Sequence, residues 1–370
     1  MLLVFLLPML SIGQTETVIS KSFDTDESTT ALIKLNGEYV EILASPDDKL
    51  YVDYIIDFDN YPERKKEKIT EQVKLQVKKT DNHISIVNND KQRRYYILNS
   101  IMNSLYKKDS LRDVKSNRKT ETAVKNEIKD FYRRRGLYEE YLENKYKTDS
   151  IKKEDLIDKH NRKRKKGFKK TLIIKVPTKM ALTVNAKYST LVIKNTLRNR
   201  LSVRMDGGKL IAQGFANKNN YIKVNNTIVG IEAINGGKLF LNSVKKGLIG
   251  NIANTTLTSE FSDVEIGVVD QNNVFKDFSN ETIIYGFSDD FESFRLNSEY
   301  SKIHYFKPNG DYKLKAFGYN TIVEENGKKR NTVIGNKDEK KALYKVKSKM
   351  GDPYAGSIHF DVVHGFVFVY

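Results

Sequence analysis

Hydrophobic and polar residues alternate along much of this chain with a period of two. Leu32-Ile33-Lys34-Leu35 runs into the turn pair Asn36-Gly37 and resumes as Tyr39-Val40-Glu41-Ile42-Leu43. Pro46-Asp47-Asp48 separates that run from Leu50 to Ile56. Val73-Lys74-Leu75-Gln76-Val77-Lys78 alternates strictly with lysines on the open face, and Thr80-Asp81-Asn82 turns the chain into His83 to Val87. Alternation bounded by Gly, Pro, Asn and Asp predicts β-strands joined by tight turns over roughly residues 14–92.

From Thr171 to Tyr370 the pattern repeats. A short group recurs before an apolar pair: Lys187-Tyr-Ser-Thr-Leu191, Asp206-Gly-Gly-Lys-Leu210, Val224-Asn-Asn-Thr-Ile228, Asn235-Gly-Gly-Lys-Leu239, Ala253-Asn-Thr-Thr-Leu257, Glu260-Phe-Ser-Asp-Val264, Ser279-Asn-Glu-Thr-Ile283, Glu299-Tyr-Ser-Lys-Ile303 and Gly318-Tyr-Asn-Thr-Ile322. Their final aliphatics are separated by 19 and 18 residues, then 11, 18 and 7, then 19, 20 and 19. A second short strand sits midway in most units, as in Leu201-Ser-Val203 and Phe294-Arg-Leu296. Short strands repeating near every 20 residues predict a mainly β fold, a β-solenoid or β-helix-like stack. Each turn has an apolar face it cannot bury alone, and stacking the next turn buries it while pairing the backbone. Small and amide residues suit the corners, where φ is often positive. An antiparallel sandwich of hairpins is the rival, favoured mildly by the steps of 11 and 7. The strong strand Ser357 to Tyr370 is a candidate end cap.

Residues 93–170 interrupt this pattern. Val124, Ile128 and Phe131 fall at helical spacing, and Leu137, Tyr138, Tyr141 and Leu142 continue it. A weaker helix is expected over Ile151 to Asp158. The segment reads as a basic α-helical insertion. Between Lys91 and Lys170 there are 26 Lys/Arg against 12 Asp/Glu, which is +14 of the chain's +17. A charge so concentrated belongs to one segment and not to the fold as a whole.

The first residues, Met1 to Leu10, are apolar and lead to Ser11-Ile12-Gly13-Gln14. The run is shorter than the roughly 20 apolar residues a bilayer span needs. With small residues before a cut after Gly13, it predicts a signal peptide over residues 1–13. No Lys or Arg precedes it, which suggests a start upstream. The chain has no cysteine. Disulfides, thiolate metal sites, a cysteine nucleophile and lipoprotein attachment are therefore excluded. The expected address is exported: periplasmic, outer-membrane-associated or extracellular, and not a lipoprotein.

Leu32 to Leu43 with its Asn-Gly turn, Ile174-Lys-Val-Pro-x-x-Met-x-Leu-x-Val184, and the Gly-Gly-Lys-Leu and Tyr-Ser-x-Ile groups together resemble the bacterial putative-adhesin proteins of the Bacteroidetes, which carry β-strand repeats. The Gly13-Gln14 signal end is similar to theirs. The resemblance covers about residues 31–87 and 172–323 and leaves out the basic segment. It implies an exported, non-enzymatic adhesin or interaction scaffold, and it brings no catalytic residues with it.

Candidate chemistry is sparse. Arg162-Lys163-Arg164-Lys165-Lys166 with Lys169 and Lys170, joined by Arg133-Arg134-Arg135, forms a basic cluster that suits an anionic ligand. Its binding would weaken steeply with salt. Behind a signal peptide, an anionic glycan, lipopolysaccharide or a membrane surface is expected, or envelope proteins, and nucleic acid is not. A solvated excursion without a ligand is the plain alternative. His359, Asp361 and His364 lie close together, but 364 falls opposite the other two on a strand, so no metal is expected. Asp24, Asp26 and Glu27 read as a polar loop rather than a calcium site. Asp289, Asp290 and Glu292 form the dense acidic cluster a polysaccharide lyase or hydrolase on this scaffold would need, the alternative function. No cofactor motif or catalytic constellation appears.

Overall fold

The computed structural model describes residues 14–59, 61–88, 167–308, 312–325, 328–331, 341–345 and 356–370. The expected signal peptide and the body of the expected helical insertion lie outside these residues. The strands, in chain order, are β1 Gln14–Asp24, β2 Thr30–Asn36, β3 Tyr39–Ala44, β4 Lys49–Asp59, β5 Leu75–Thr80, β6 His83–Asn88, β7 Gly167–Val176, β8 Ala181–Leu197, β9 Leu201–Ala216, β10 Tyr221–Asn242 and β11 Gly247–Glu260. They continue as β12 Asp263–Asp270, β13 Asn272–Phe278, β14 Glu281–Ile284, β15 Ser293–Glu299, β16 Lys302–Tyr305, β17 Lys313–Tyr319, β18 Ile322–Glu325, β19 Lys328–Asn331, β20 Lys341–Lys345, β21 Ser357–Val363 and β22 Phe366–Val369. They hydrogen-bond into one large sheet that does not close.

Among the described residues there is one helix, α1, Glu63–Glu71, where the residue pattern predicts none. Its sequence is almost wholly charged, so it lacks the apolar stripe that marks a surface helix. Pro62 at its start, Glu63 in its first turn and Lys68 in its last suit the backbone and dipole of a helix.

Two compact units divide the chain. In the unit of residues 1–15, 57–68 and 94–169, the described residues include an aromatic group, with Phe58, Tyr61 and Phe168 rings packed 5.5–6.3 Å apart. The Lys66 ammonium sits over Phe58 and pairs with Glu63.

The other unit, Glu16–Ile56, Ile69–Arg93 and Lys170–Tyr370, holds a stack of parallel rungs. Leu182 pairs beside Leu201, Val229 beside Leu210, Leu257 beside Leu239, Phe275 beside Leu257 and Leu296 beside Phe275. Like residues stack on like, and the inward column is fully buried: Val203, Ile222, Leu239, Leu257, Phe275 and Leu296 are each at most 2 % exposed. Parallel pairing with both strand edges satisfied explains why the backbone needs no hairpins through the middle of the unit.

The rungs bend where one residue takes positive φ. Gly37, Tyr188, Gly207, Asn226, Ser243, Phe261, Ser279, Tyr300, His364 and Asn320 form one such corner column, with φ from 48° to 74°. A second column holds Gly236, Asn254 and Gln271. This explains the irregular spacing. The Asn235 and Ala253 groups mark the second corner, so stepping between the two columns produces the intervals of 11 and 7. Within a column the partner lies 17 to 21 residues on through the central rungs. Asn36-Gly37 likewise bends a rung: β2 and β3 both pair in parallel with β8.

A hydroxyl follows the bend in many rungs and closes it. Ser189, Thr227, Thr255, Ser262 and Ser301 are buried, and each donates to the carbonyl two residues back at 2.7–3.0 Å. The same oxygens accept N–H groups from the neighbouring rung: Glu38 to Ser189, Val244 to Ser262 and Asn280 to Ser301. Backbone groups freed by the corner are thereby satisfied inside the protein, where an orphan would be costly.

Rung order departs from chain order at both ends. β6 lies outside β2, and β7 outside β3. At the other end, β21 and β22 are not the end cap expected from the residue pattern. They insert between β15/β16 and β17/β18, pairing in parallel on both sides. The outermost edges there carry antiparallel strands instead, β20 on β17 and β19 on β18. Ser357 to Tyr370 buries Ile358, Phe360 and Val362 on one face and has both edges paired, which suits an interior rung better than a terminus.

Candidate functional site

The corner column carries residues of three kinds, one of them the serines Ser243 and Ser279. At Gly37, Gly207, Asn226 and Asn320 it holds the types that take positive φ readily. At Tyr188, Phe261, Tyr300 and His364 it holds bulky rings in the same conformation. For such residues positive φ is a true outlier, costing on the order of 1–2 kcal/mol. Phe261 and Tyr300 do not recover this by burial, since they are 58 % and 57 % exposed. Strain retained at exposed apolar rings, where Gly or Asn serves the fold elsewhere, points to a role outside folding.

Phe261, Tyr300 and His364 form a run with Phe278, and Tyr188 stands apart from it. Phe278, just before the corner in its own rung, meets Phe261 edge-on at 5.5 Å and Tyr300 at 5.9 Å. Tyr300 stacks on His364 at 5.0 Å with planes 11° apart. Asn320 Nδ2 lies 2.8 Å from His364 Nδ1, extending the run to the next rung.

Beside the corner lies a depression of about 460 Å³ on the outer face of β11, β13, β15 and β21. Register sets its lining in columns. Thr258, Lys276, Asn297 and Asp361 stand side by side, and Glu260, Phe278, Glu299 and Val363 stand between them and the corner. The next column inward along the strands holds Arg295, His359 and Lys315. Burial and the neighbouring Arg295 guanidinium hold the His359 imidazole below its usual range. The face presents hydroxyl, amide, carboxylate and ammonium groups in a lattice fixed by strand spacing and side-chain alternation.

Under this face sits a buried polar group. Asp277 accepts from Ser259 Oγ at 2.8 Å and Thr282 Oγ1 at 3.0 Å. Asn280 donates to Ser259 at 2.8 Å. Burial outweighs these hydrogen bonds and pushes the Asp277 carboxyl up to about 6. Ser298, its register partner, is buried with its hydroxyl unpartnered.

The residues singled out from the sequence are placed as follows. Lys169 and Lys170 lie on β7, the first exposed and the second buried, while Arg133, Arg134, Arg135, Arg162, Lys163, Arg164, Lys165 and Lys166 lie outside the described residues. His359 and Asp361 share the outer face of β21, and His364 turns the corner beyond it. No group of three His, Asp or Glu among the described residues could hold a metal ion. Asp26 caps its own loop through Ser28 and Thr29, while Asp24 pairs with Lys49 and Glu27 with Lys179. Asp289 and Asp290 are exposed before β15, and Glu292 accepts from Asn272 Nδ2. No helix among the described residues is long and apolar enough to cross a membrane.

The residue pattern does not mark the aromatic corner, although Phe261 and Tyr300 stand in the repeat groups. The available signal was a Phe or Tyr at the position where sister groups carry Gly or Asn.

No family model matches the chain, and no curated protein matches it. Three solved structures do resemble it: a putative adhesin from Parabacteroides merdae, a putative cell adhesion protein from Clostridium sporogenes and a putative adhesin from Bacteroides fragilis. Their identities are 8 %, 9 % and 10 % and their TM-scores 0.38, 0.19 and 0.33. The alignments cover 97 %, 97 % and 96 % of this chain and 97 %, 99 % and 97 % of theirs.

Proposed function

We propose that the protein is an exported, non-enzymatic binding scaffold whose rungs coil as a β-solenoid and whose aromatic corner is its contact surface. The observation that carries this is the pair of exposed rings, Phe261 and Tyr300, kept at positive φ. Parallel register with partners 17 to 21 residues apart supports the coil. The apolar run Met1 to Leu10 supports export, with residues 1–13 as signal, 14–92 and 171–370 as β regions and 93–170 as a basic helical insertion. That insertion, with Lys169 and Lys170, would add salt-sensitive attraction to an anionic glycan, lipopolysaccharide or membrane surface.

The test joins fractionation to retention. Producing cells should release the protein to the periplasm, outer membrane or medium, and recovery in the cytoplasm sinks the export reading. Purified protein should be retained on cell-envelope fragments, and Phe261→Asn with Tyr300→Asn should lower that retention. Equal retention by the variant refutes the corner as the contact. Joining the flanks of 93–170 should remove only the salt-sensitive part, measured on vesicles rich in anionic lipid.

A further inference from the structure

We propose that the face beside the aromatic corner binds an uncharged oligosaccharide, laid across the rungs rather than along a strand. The inference rests on the corner being the contact surface, and it names the chemistry of what is contacted.

Spacing is the first reason. Ring centroids along the corner are 5.5, 5.9 and 5.0 Å apart, because each rung contributes one ring and rungs repeat at the strand spacing. An extended saccharide advances by a similar length per pyranose, so successive sugars meet successive rungs. Pyranose C–H groups suit aromatic rings, while their hydroxyls suit the column Thr258, Lys276, Asn297 and Asp361, which supplies both donors and acceptors.

Charge is the second reason. Glu260, Glu299 and Asp361 are balanced by Lys276, Arg295 and Lys315 on the same face. A polyanion would meet the carboxylates of this face and a polycation its ammonium and guanidinium groups, whereas a neutral, hydroxyl-rich chain meets neither repulsion. The third reason excludes a peptide added as a strand. β13, β15 and β21 have both edges paired, so this face offers no backbone edge.

The experiment titrates the full chain with cellohexaose, laminarihexaose, chitohexaose and mannohexaose, with heparin and polygalacturonate as charged comparators. The expected result is saturable binding of a neutral hexasaccharide, unchanged by salt. It should weaken by about two- to twelvefold in Tyr300→Asn and in Phe261→Asn, the loss of one stacked ring. Asn already serves the fold at Asn226 and Asn320 of this column, so both variants should fold. Ile211→Thr, an exposed apolar side chain on β9 outside both the corner and the face, should bind as the parent does. Binding of no neutral chain, binding of the charged polymers alone, or equal binding by the ring variants overturns the proposal. If envelope retention falls in Tyr300→Asn but survives periodate oxidation of the envelope glycans, the saccharide is wrong and the contact surface stands. If retention is equal in parent and variant, both are wrong.

Discussion

Gly208 is where the stack is most sensitive to a single carbon atom. Its φ is +93°, and a Cβ built there would lie 2.1 Å from the Ser189 carbonyl oxygen and 2.9 Å from its carbonyl carbon in the adjacent rung. Gly208→Ala therefore meets two penalties. The backbone conformation costs about 1–2 kcal/mol for an L-residue with a side chain. The contact must also open by about 1.2–1.5 Å to reach ordinary C···O separation. Ser189 is fully buried with its hydroxyl committed to Lys187 O, so the rung cannot yield by moving a flexible side chain. Opening the ladder there weakens one or two buried hydrogen bonds, each costing about 1 kcal/mol or more. The sum is about 2–4 kcal/mol or more. Gly230→Ala is the control. Its Cβ meets only Ile211 Cδ1, at 3.4 Å, so its effect should stay within about 1 kcal/mol. Guanidinium unfolding followed by β circular dichroism gives both numbers from the midpoints. Equal midpoints for the two variants would refute the rung register that places Gly208 against Ser189.

Three further outcomes are expected. Burial raises the Asp277 carboxyl from 3.8 to about 6. The folded state thus holds this proton more tightly than the unfolded state, and its stability contribution, present below pH 3.8, is lost as pH rises through about 6. A rise of that size corresponds to roughly 3 kcal/mol. Asp277→Asn should flatten this part of the stability–pH curve and gain on the parent above pH 6; an unchanged slope between pH 4 and 6.5 argues against it. Ser262→Ala strips a partner from the Val244 N–H and the Glu260 carbonyl and should cost about 1–3 kcal/mol in the same unfolding assay, with no loss counting against the corner chemistry. Removing Ser357–Tyr370 should also release residues 313–325, whose parallel partners are β21 and β22, and hydrogen exchange that stays slow there would contradict the interleaved order.

Some of this was legible in the residues and some was not, for physical reasons. Alternation marked β2, β3 and β6 because a half-buried strand shows its face with every second residue. The repeat groups marked corners because positive φ selects Gly and Asn and leaves a carbonyl that Ser or Thr can satisfy. Helix α1 left no such trace, its residues being nearly all charged. The basic segment was plain as a charge, and its lysines at 169 and 170 proved to belong to β7.

The sequence by itself determined the local alphabet of this protein: strands of period two, corners near every 19 residues, and no cysteine chemistry. Only the tertiary structure decided which corner each group occupies, and that β21 and β22 lie inside β17 and β18. Pairing between rungs depends on backbone groups that every residue carries alike, so the order of rungs leaves little mark on side-chain pattern. For the same reason the run from Phe261 through Phe278 and Tyr300 to His364 exists only in the stack, where residues 17 to 64 apart in the chain become neighbours one rung away.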